Sequence, residues 1–439
     1  MISTSLTRIA RATALAVALG SVGVAGGANA AGNSGNGDMK GQIDVLNWWT
    51  SGSESKAMGV LKQMLAQKGI KMNNDAVSGG GGGNARTVLK SRIQSHNMPG
   101  MAQIKGPKIQ QWCKTGFIGS LDNVAKSDNW SKKLAPRINK NLKCNGKYVA
   151  VPFDIHRINW LWINRSLMKK ANAPIPQSWD QLVNDLGKLK SAGITPIAGG
   201  GDTWQVGTEF DALVASVGDA QFYRKAFVDL DSSALSSKTM VKAFKRLRVI
   251  EKYTDSNGSG LSWNHDTGMV VNGKAAMQIM GDWAKGAITN DGATPGKKVA
   301  CIALPGTQNA YIYNVDTFEA FKVNSKSKQK AQNIFAKTVM EPQFQRQFNK
   351  VKGSIPVNEK VSLKGFDQCA HKSSEAYHKA KKNDDLVPSM SQDMAEVGAV
   401  KGAIFDVVAK FYNSPNMTAQ EAAKTLASRV KQADQMSKL

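Results

Sequence analysis

The stretch QIDVLNWWTSGSE, residues 42–54, decides how the chain is read. From Gln42 to Trp48 apolar and polar positions alternate, the period of a strand with one buried face. Two adjacent indoles, Trp48 and Trp49, end the strand, and the polar loop Thr50-Ser51-Gly52-Ser53-Glu54 follows at once. In an open α/β sheet, a strand end that opens into a loop faces the ligand crevice. Large aromatic faces there suit a ligand with apolar C–H faces and polar edges. A sugar ring is such a ligand.

Outward from this stretch, Glu54–Gln67 places Ala57, Val60, Leu61, Met64 and Leu65 on one helical face. Lys71–Val77 reads as a short strand ending in Ser78 and the glycine run Gly79–Gly83. A helix with Val88, Leu89 and Ile93 facing inward comes next, then a strand at Met101–Lys105. Strands alternating with helices predict a parallel α/β sheet. A second such unit starts near Val149. Ser178 and Gln181 form a capping-box pattern that opens the helix Trp179–Leu189; Gly193 stops it, and Ile194–Ala198 reads as a strand. Val271–Ile279 delivers Asp282 and Trp283 to another strand end, and Ala310–Phe318 reads as a strand leading into a helix. Thr418 and Glu421 cap a charged helix that runs to about Lys438. The glycine run is no phosphate loop, because the Gly-Lys-Ser/Thr that would hold phosphate and metal is missing. Its glycines let the backbone approach a neighbour or a ligand closely.

With 439 residues the chain can build two or three domains with sizeable cores. Arg8 and Arg11, the apolar run Ala12–Val24 and Ala28-Asn29-Ala30 describe a secretory signal peptide, residues 1–30, cut after Ala30. The Gly/Asn/Ser-rich stretch 31–41 reads as a disordered leader. An exported chain with Cys113, Cys144, Cys301 and Cys369 is expected to form disulfides, and three pairings are open; the sequential one is preferred. Cysteine spacing offers no metal site. The net charge of +25 invites nucleic acid as a partner, but the lysines fall singly or in pairs, with no basic stripe interleaved with aromatics. Nucleic acid is therefore not expected. A basic, carboxylate-poor surface instead fits an acidic exterior, where few groups await protonation.

Trp263 and Trp283 also sit at element edges beside polar or glycine residues. Most tryptophans are core, and position is what sets these apart. Hydroxyls that both donate and accept need carboxylates, amides and lysines at strand ends, and Glu54, Gln103, Lys105, Asn314, Asp316 and Lys352 stand there. Catalysis is not expected. Glycoside hydrolysis needs one carboxyl of raised pKa, whereas Lys105 and Lys352 would lower those of nearby carboxylates. No nucleophile elbow or His-Glu-x-x-His helix is present, and the five histidines are scattered.

The segments VLNWWTSGSE, TVLKSR, AQIKGP, YVAVPFDIHRINWLWIN, VNGKAAMQIMGDWAKG, YNVDTF and KGSIPVNE together resemble the periplasmic glucose/mannose-binding proteins of ABC sugar importers. These belong with maltose-binding protein among the extracellular solute-binding proteins. The resemblance spans nearly the whole mature chain. It implies a two-lobed α/β fold of the type II periplasmic binding proteins, with the ligand cleft between lobes joined by hinge strands. The expected lobes are 42–153 with 312–358, and 154–311 with 359–439. It implies that Trp48, Trp49, Glu54, Gln103 and Lys105 face the sugar from the first lobe, with Asn314, Asp316 and Lys352 completing a polar cage. Trp263 and Trp283 would border the pyranose from the second. Cys301 and Cys369 fall where the family has a disulfide, and Cys113 with Cys144 look like an addition. At PSMSQDMA, relatives place a ligand-contacting histidine where this chain has Gln392, which puts the monosaccharide's identity in question: glucose, then mannose or galactose. The implied partners are that sugar and the permease subunits; a monomer with no cofactor is expected. An exported glycoside hydrolase or an oligosaccharide-binding protein is the alternative.

Overall fold

The computed structural model describes residues 41–255, 258 and 260–438. The signal segment, its cleavage after Ala30 and residues 31–40 of the leader lie outside the described residues. Gly41–Asn47 pairs in parallel with Ile70–Ala76 and with Met101–Gln103, as the alternation of strands and helices predicts. The sheet is mixed rather than parallel, because Thr317–Ala320 enters it antiparallel between Met101–Gln103 and Ala150–Pro152. A second sheet runs in the order Val299–Ala303, Trp160–Asn164, Ala275–Ile279, Thr195–Ile197. Each sheet has its own apolar core. The first gathers Val45, Leu46, Phe153, Phe318 and Phe335. The second gathers Trp160, Trp162, Leu186, Phe210 and Phe244.

A third sheet, ordered Ile355–Pro356, Asp154–Arg157, Tyr311–Asn314, Leu386–Pro388, joins the two. The chain leaves the first sheet at Ala150–Pro152, runs through Asp154–Arg157 and enters the second at Trp160–Asn164. It returns from Val299–Ala303 through Tyr311–Asn314 to Thr317–Ala320. The two crossings lie side by side and antiparallel, with Asn314 opposite His156 and Tyr313 opposite Arg157. The predicted strand Ala310–Phe318 is therefore two strands, broken at Val315-Asp316 where the chain changes sheets. Likewise only Ala275–Ile279 of Val271–Ile279 is strand, since Val271 ends the helix Trp263–Val271.

Local signals set the element ends. Ser51 and Glu54 form a complete capping box, which starts the helix at Gly52. Thr418 and Glu421 do the same for the last helix. At Ser178 the box is half made: its hydroxyl accepts from the Gln181 N–H at 3.2 Å, while the Gln181 side chain accepts from Gln177 N–H at 2.9 Å. Both sequential disulfides form, Cys113–Cys144 and Cys301–Cys369. The second pins the edge strand Val299–Ala303 to the helix Gln368–Asn383. That helix touches both cores: Cys369 lies in the second, while Ala370, Tyr377 and Ala380 pack into the first, where Tyr377 meets Tyr311 edge-on at 5.6 Å. Among the described residues no helix is long and apolar enough to cross a membrane.

Two core features generate predictions. Trp49 is only 2 % exposed and packs against Phe153, Phe318 and Phe348 with ring centroids 5.5–5.9 Å away. It is chiefly a core residue, whereas Trp48, also just past the strand end, stays half-buried. Trp49→Ala should cost about 3–5 kcal/mol of stability, read by chemical denaturation; a loss below about 1 kcal/mol would show that the site tolerates the cavity.

Glu209 and Asp266 are buried carboxyls in the second core region. Burial, with Asp266 adding like charge, pushes Glu209 up to about 8; burial pushes Asp266 up to about 7. Each binds a proton in the fold that it releases near pH 4 when unfolded. Stability from this source is full below about pH 4 and declines as pH rises through the folded values. The melting temperature should therefore fall from pH 5 to pH 7, and Glu209→Gln, which mimics the protonated acid, should flatten that slope. A melting temperature that climbs across this interval would contradict the assignment.

Candidate functional site

A cavity of about 430 Å³ lies between the two cores. Small-molecule sites are commonly of this size. The structure brings Trp48, Trp49, Glu54, Lys105, Trp263, Trp283, Asn314, Asp316, Lys352 and Gln392 to its wall. Gln103 alone among the residues expected there does not reach it. It stands behind, accepting from the Trp48 N–H at 3.4 Å and donating to Asp316 Oδ1 at 3.3 Å. Its role is to hold two wall residues in place.

The crossing segments supply Asn314 and Asp316 to this wall. Asp154 and His156 alternate with Ile155 on one crossing, Asn314 ends the other, and Asp316 sits in the break between sheets. His156 is fully buried, with Nδ1 on Asp282 and Nε2 3.3 Å from Asp154 and 3.4 Å from Asp316. Lys105 reaches Asp316 at 3.1 Å, and Lys352 reaches Glu54 at 3.4 Å. Three cationic side chains thus interleave with four carboxyls in a water-poor setting. Buried charges persist only when paired in this way.

The protonation states follow from the arrangement. Burial alone would strip the proton from His156, but Asp154 and Asp282 outweigh it and hold the imidazole well above its ordinary value. Burial alone would raise Asp316, yet Lys105, the hydrogen bond from His156 and Lys352 keep it well below the usual carboxylate range. Lys352 is likewise raised, its burial outweighed by Glu54 and Asp316. Burial dominates for Asp154, whose pKa is raised. His156 therefore contributes stability that is full below about pH 6.5 and fades as pH rises through its higher folded value, whereas Asp316 contributes above about pH 4 and fades as pH falls.

Asp154, His156 and Asp316 also present oxygen and nitrogen atoms within 4.8 Å of one another, a set that meets the distance needs of a metal. The donors do not fit one. A protonated imidazole has no lone pair to give, and the ammonium groups of Lys105 and Lys352 already stand 3.1 Å from Asp316 and 3.4 Å from His156. The trio belongs to the ion-pair network.

Aromatic faces line the rest. Trp283 meets His156 edge-on at 5.5 Å and lies 6.4 Å from Trp204. Lys105 sits 5.4 Å from the Trp48 ring and Lys352 5.0 Å from the Trp49 ring, so each cation is also placed by an indole. Asn314 Oδ1 is buried without a hydrogen-bond partner among the described residues, an acceptor left for a donor in the cavity. Gln392 donates to Thr208 Oγ1 at 3.3 Å.

Sequence reasoning missed several wall residues. Trp204 and Asp202 lie at the start of the helix Thr203–Val217, just after Gly199-Gly200-Gly201, and that glycine-flanked tryptophan was the available signal. Gly79–Gly81 line the cavity as backbone, in keeping with the close approach expected of them. Nothing in the sequence distinguished His156 from the other four histidines.

The sequence profile of the family described as bacterial extracellular solute-binding protein matches residues 50–341, more than half of the chain. A protein of Brucella suis biovar 1 (strain 1330) named "Probable sugar-binding periplasmic protein" is 42% identical over 398 residues, covering 91% of this chain and 94% of its own. One of the same name from Rhizobium meliloti (strain 1021) is 41% identical over 391 residues, covering 89% and 94%. Among solved structures, the bacterial solute receptor AcbH superposes with a TM-score of 0.73 at 17% identity, covering 91% of this chain and 99% of its own. RafE in complex with raffinose gives 0.70 at 19%, covering 89% and 99%. At such identities these likenesses speak to the two-lobed fold. On the profile match and the relatives together, the chain belongs to the bacterial extracellular solute-binding protein family.

Proposed function

We propose that this protein captures one uncharged monosaccharide, glucose first and mannose or galactose next, and hands it to the permease of an ABC importer. It acts as a monomer in the periplasm once its signal peptide is cut after Ala30, without cofactor and without catalysis. The observation that carries the reading is the convergence, in one cavity, of indoles and hydrogen-bonding side chains supported by both cores. The names of the Brucella and Rhizobium relatives support the same solute class. We place the lobes at 42–153 with 312–358 and at 154–311 with 359–439, with the helix Gln368–Asn383 bridging them through Cys369 on the second core and Ala370, Tyr377 and Ala380 on the first.

In this reading Trp283 and Trp263 border the pyranose, Trp48 faces it from the first lobe, and Glu54, Lys105, Asn314, Asp316, Lys352 and Gln392 meet its hydroxyls. Because Glu54 and Asp316 are each ion-paired to a lysine, they act as acceptors rather than as proton donors for bond cleavage. Capture works by hinge closure at the crossing strands. A sugar that touches both lobes has higher affinity for the closed form, and that difference shifts the population the permease receives.

A thermal-shift panel of monosaccharides and oligosaccharides tests the reading, since a ligand of the folded state raises apparent stability by mass action. Glucose should give the largest shift. A shift with oligosaccharides alone would overturn the monosaccharide assignment. Trp283→Ala should weaken glucose binding about two- to tenfold, from the roughly 0.5–1.5 kcal/mol of ring stacking; unchanged calorimetric affinity would remove Trp283 from the site. Asp316→Asn should weaken binding through loss of a charge-assisted hydrogen bond, and titration curves that overlay those of the parent would exclude it.

A further inference from the structure

The glycine run at one end of the cavity contains three kinds of residue. Gly79, Gly81 and Gly82 have φ of 134°, 66° and 72°, backbone that only glycine adopts freely. Gly83 has φ −58° and open space where a Cβ would go. Gly80 differs from both. Its φ is outside the positive range, so any residue suits its backbone, yet it has no room for a side chain. A Cβ there would fall 2.6 Å from Cε2 and 2.8 Å from Cδ1 of Trp204, and nearer still to Nε1. Real Cβ atoms essentially never come so close. Only the contact with Trp204 requires glycine at residue 80.

That contact spans the cavity. The glycine run leads into the helix Gly83–Gln94, whose Leu89 and Ile93 belong to the first core, while Trp204 packs against the second. Trp204 stands 6.4 Å from Trp283 and lines the cavity with Gly79, Gly80 and Gly81. Its Nε1 is buried without a hydrogen-bond partner among the described residues. Trp48, which packs against the first core, is seated in the same manner on Gly82, where a Cβ would lie 2.6 Å from Cε3. Two indoles, one supported by each core, thus rest on a strip of bare backbone.

We infer that Gly80 and Trp204 form a clasp that completes closure over the ligand: the missing side chain at residue 80 lets the Trp204 indole seat on the backbone opposite, and any side chain there holds the cleft ajar. The inference rests on the sugar-capture reading and adds to it a residue that controls affinity through its contact with Trp204. The clasp acts on the closed form alone. A blocked clasp therefore raises the apparent dissociation constant by the factor through which it depletes the binding-competent state. The unliganded fold keeps its stability, because Gly80 is exposed and its backbone suits alanine.

The test measures glucose binding by calorimetry, and compaction on glucose addition by small-angle scattering, for the parent chain, Gly80→Ala, Gly83→Ala, Trp204→Ala and the Gly80→Ala/Trp204→Ala pair. Gly80→Ala should bind about tenfold more weakly or worse, compact less at saturating sugar and melt unchanged without it. Gly83→Ala should match the parent. With Trp204 truncated, Gly80→Ala should lose most of its effect, since the colliding partner is gone; such non-additivity marks direct coupling. Equal affinities for Gly80→Ala and the parent, or strictly additive effects in the pair, would overturn the clasp while leaving sugar capture standing. A parent chain that binds none of the monosaccharides would overturn both.

Discussion

The buried ion-pair network centred on His156 is the constraint on which the rest depends. Removing a charged group from water costs several kcal/mol unless partners replace the lost hydration. His156 is fully buried, and so are Asp154 and Asp316 beside it. These groups reach the interior together only if two chain segments more than 150 positions apart in sequence meet in one register, with Asn314 opposite His156. The network therefore specifies the side-by-side crossing that makes two lobes out of one chain. It also puts the site's polar wall on the hinge, the place where any relative movement of the lobes is first felt.

The same network accounts for the kind of ligand the cavity suits. Each of its cations is already paired with a carboxylate, and an ion entering the cavity would have to displace one of these partners. A neutral ring asks less. In the proposed reading its hydroxyls take the outward lone pairs of Glu54 and Asp316, the free protons of the lysines and the unpartnered oxygen of Asn314, while its C–H faces lie on Trp283 or Trp263. Because the donors and acceptors are fixed by their own ion pairs before ligand arrives, little ordering is left to oppose binding.

Much of this was legible in the chain itself, for physical reasons. Period-two alternation from Gln42 to Trp48 and capping boxes at Ser51 and Thr418 are local, so strands and helix starts could be read from a few residues each. The wall residues were legible where they followed strand ends, as Lys105, Asp316 and Trp283 do. What escaped was non-local. Trp49 reaches the cavity wall as expected, but its packing against Phe318 and Phe348, hundreds of positions away, was not legible. The break at Val315-Asp316 exists because the chain changes sheets there, and no local signal marks a change of partner. His156 gains its role solely from Asp154, Asp282 and Asp316, which folding brings to it. Trp204 was passed over because a helix start beside glycines is common, and the glycine it meets, Gly80, lies more than 120 positions away in sequence.

The most direct measurement of the central claim, that a self-neutralised site holds an uncharged pyranose, is isothermal titration of glucose at low and high salt. A neutral ligand releases no counterions and meets charges that are buried and paired, so screening has little purchase. The account predicts a measurable affinity that is nearly the same at both salt concentrations. No heat of binding for glucose, mannose or galactose, or an affinity that falls steeply with salt, would contradict it.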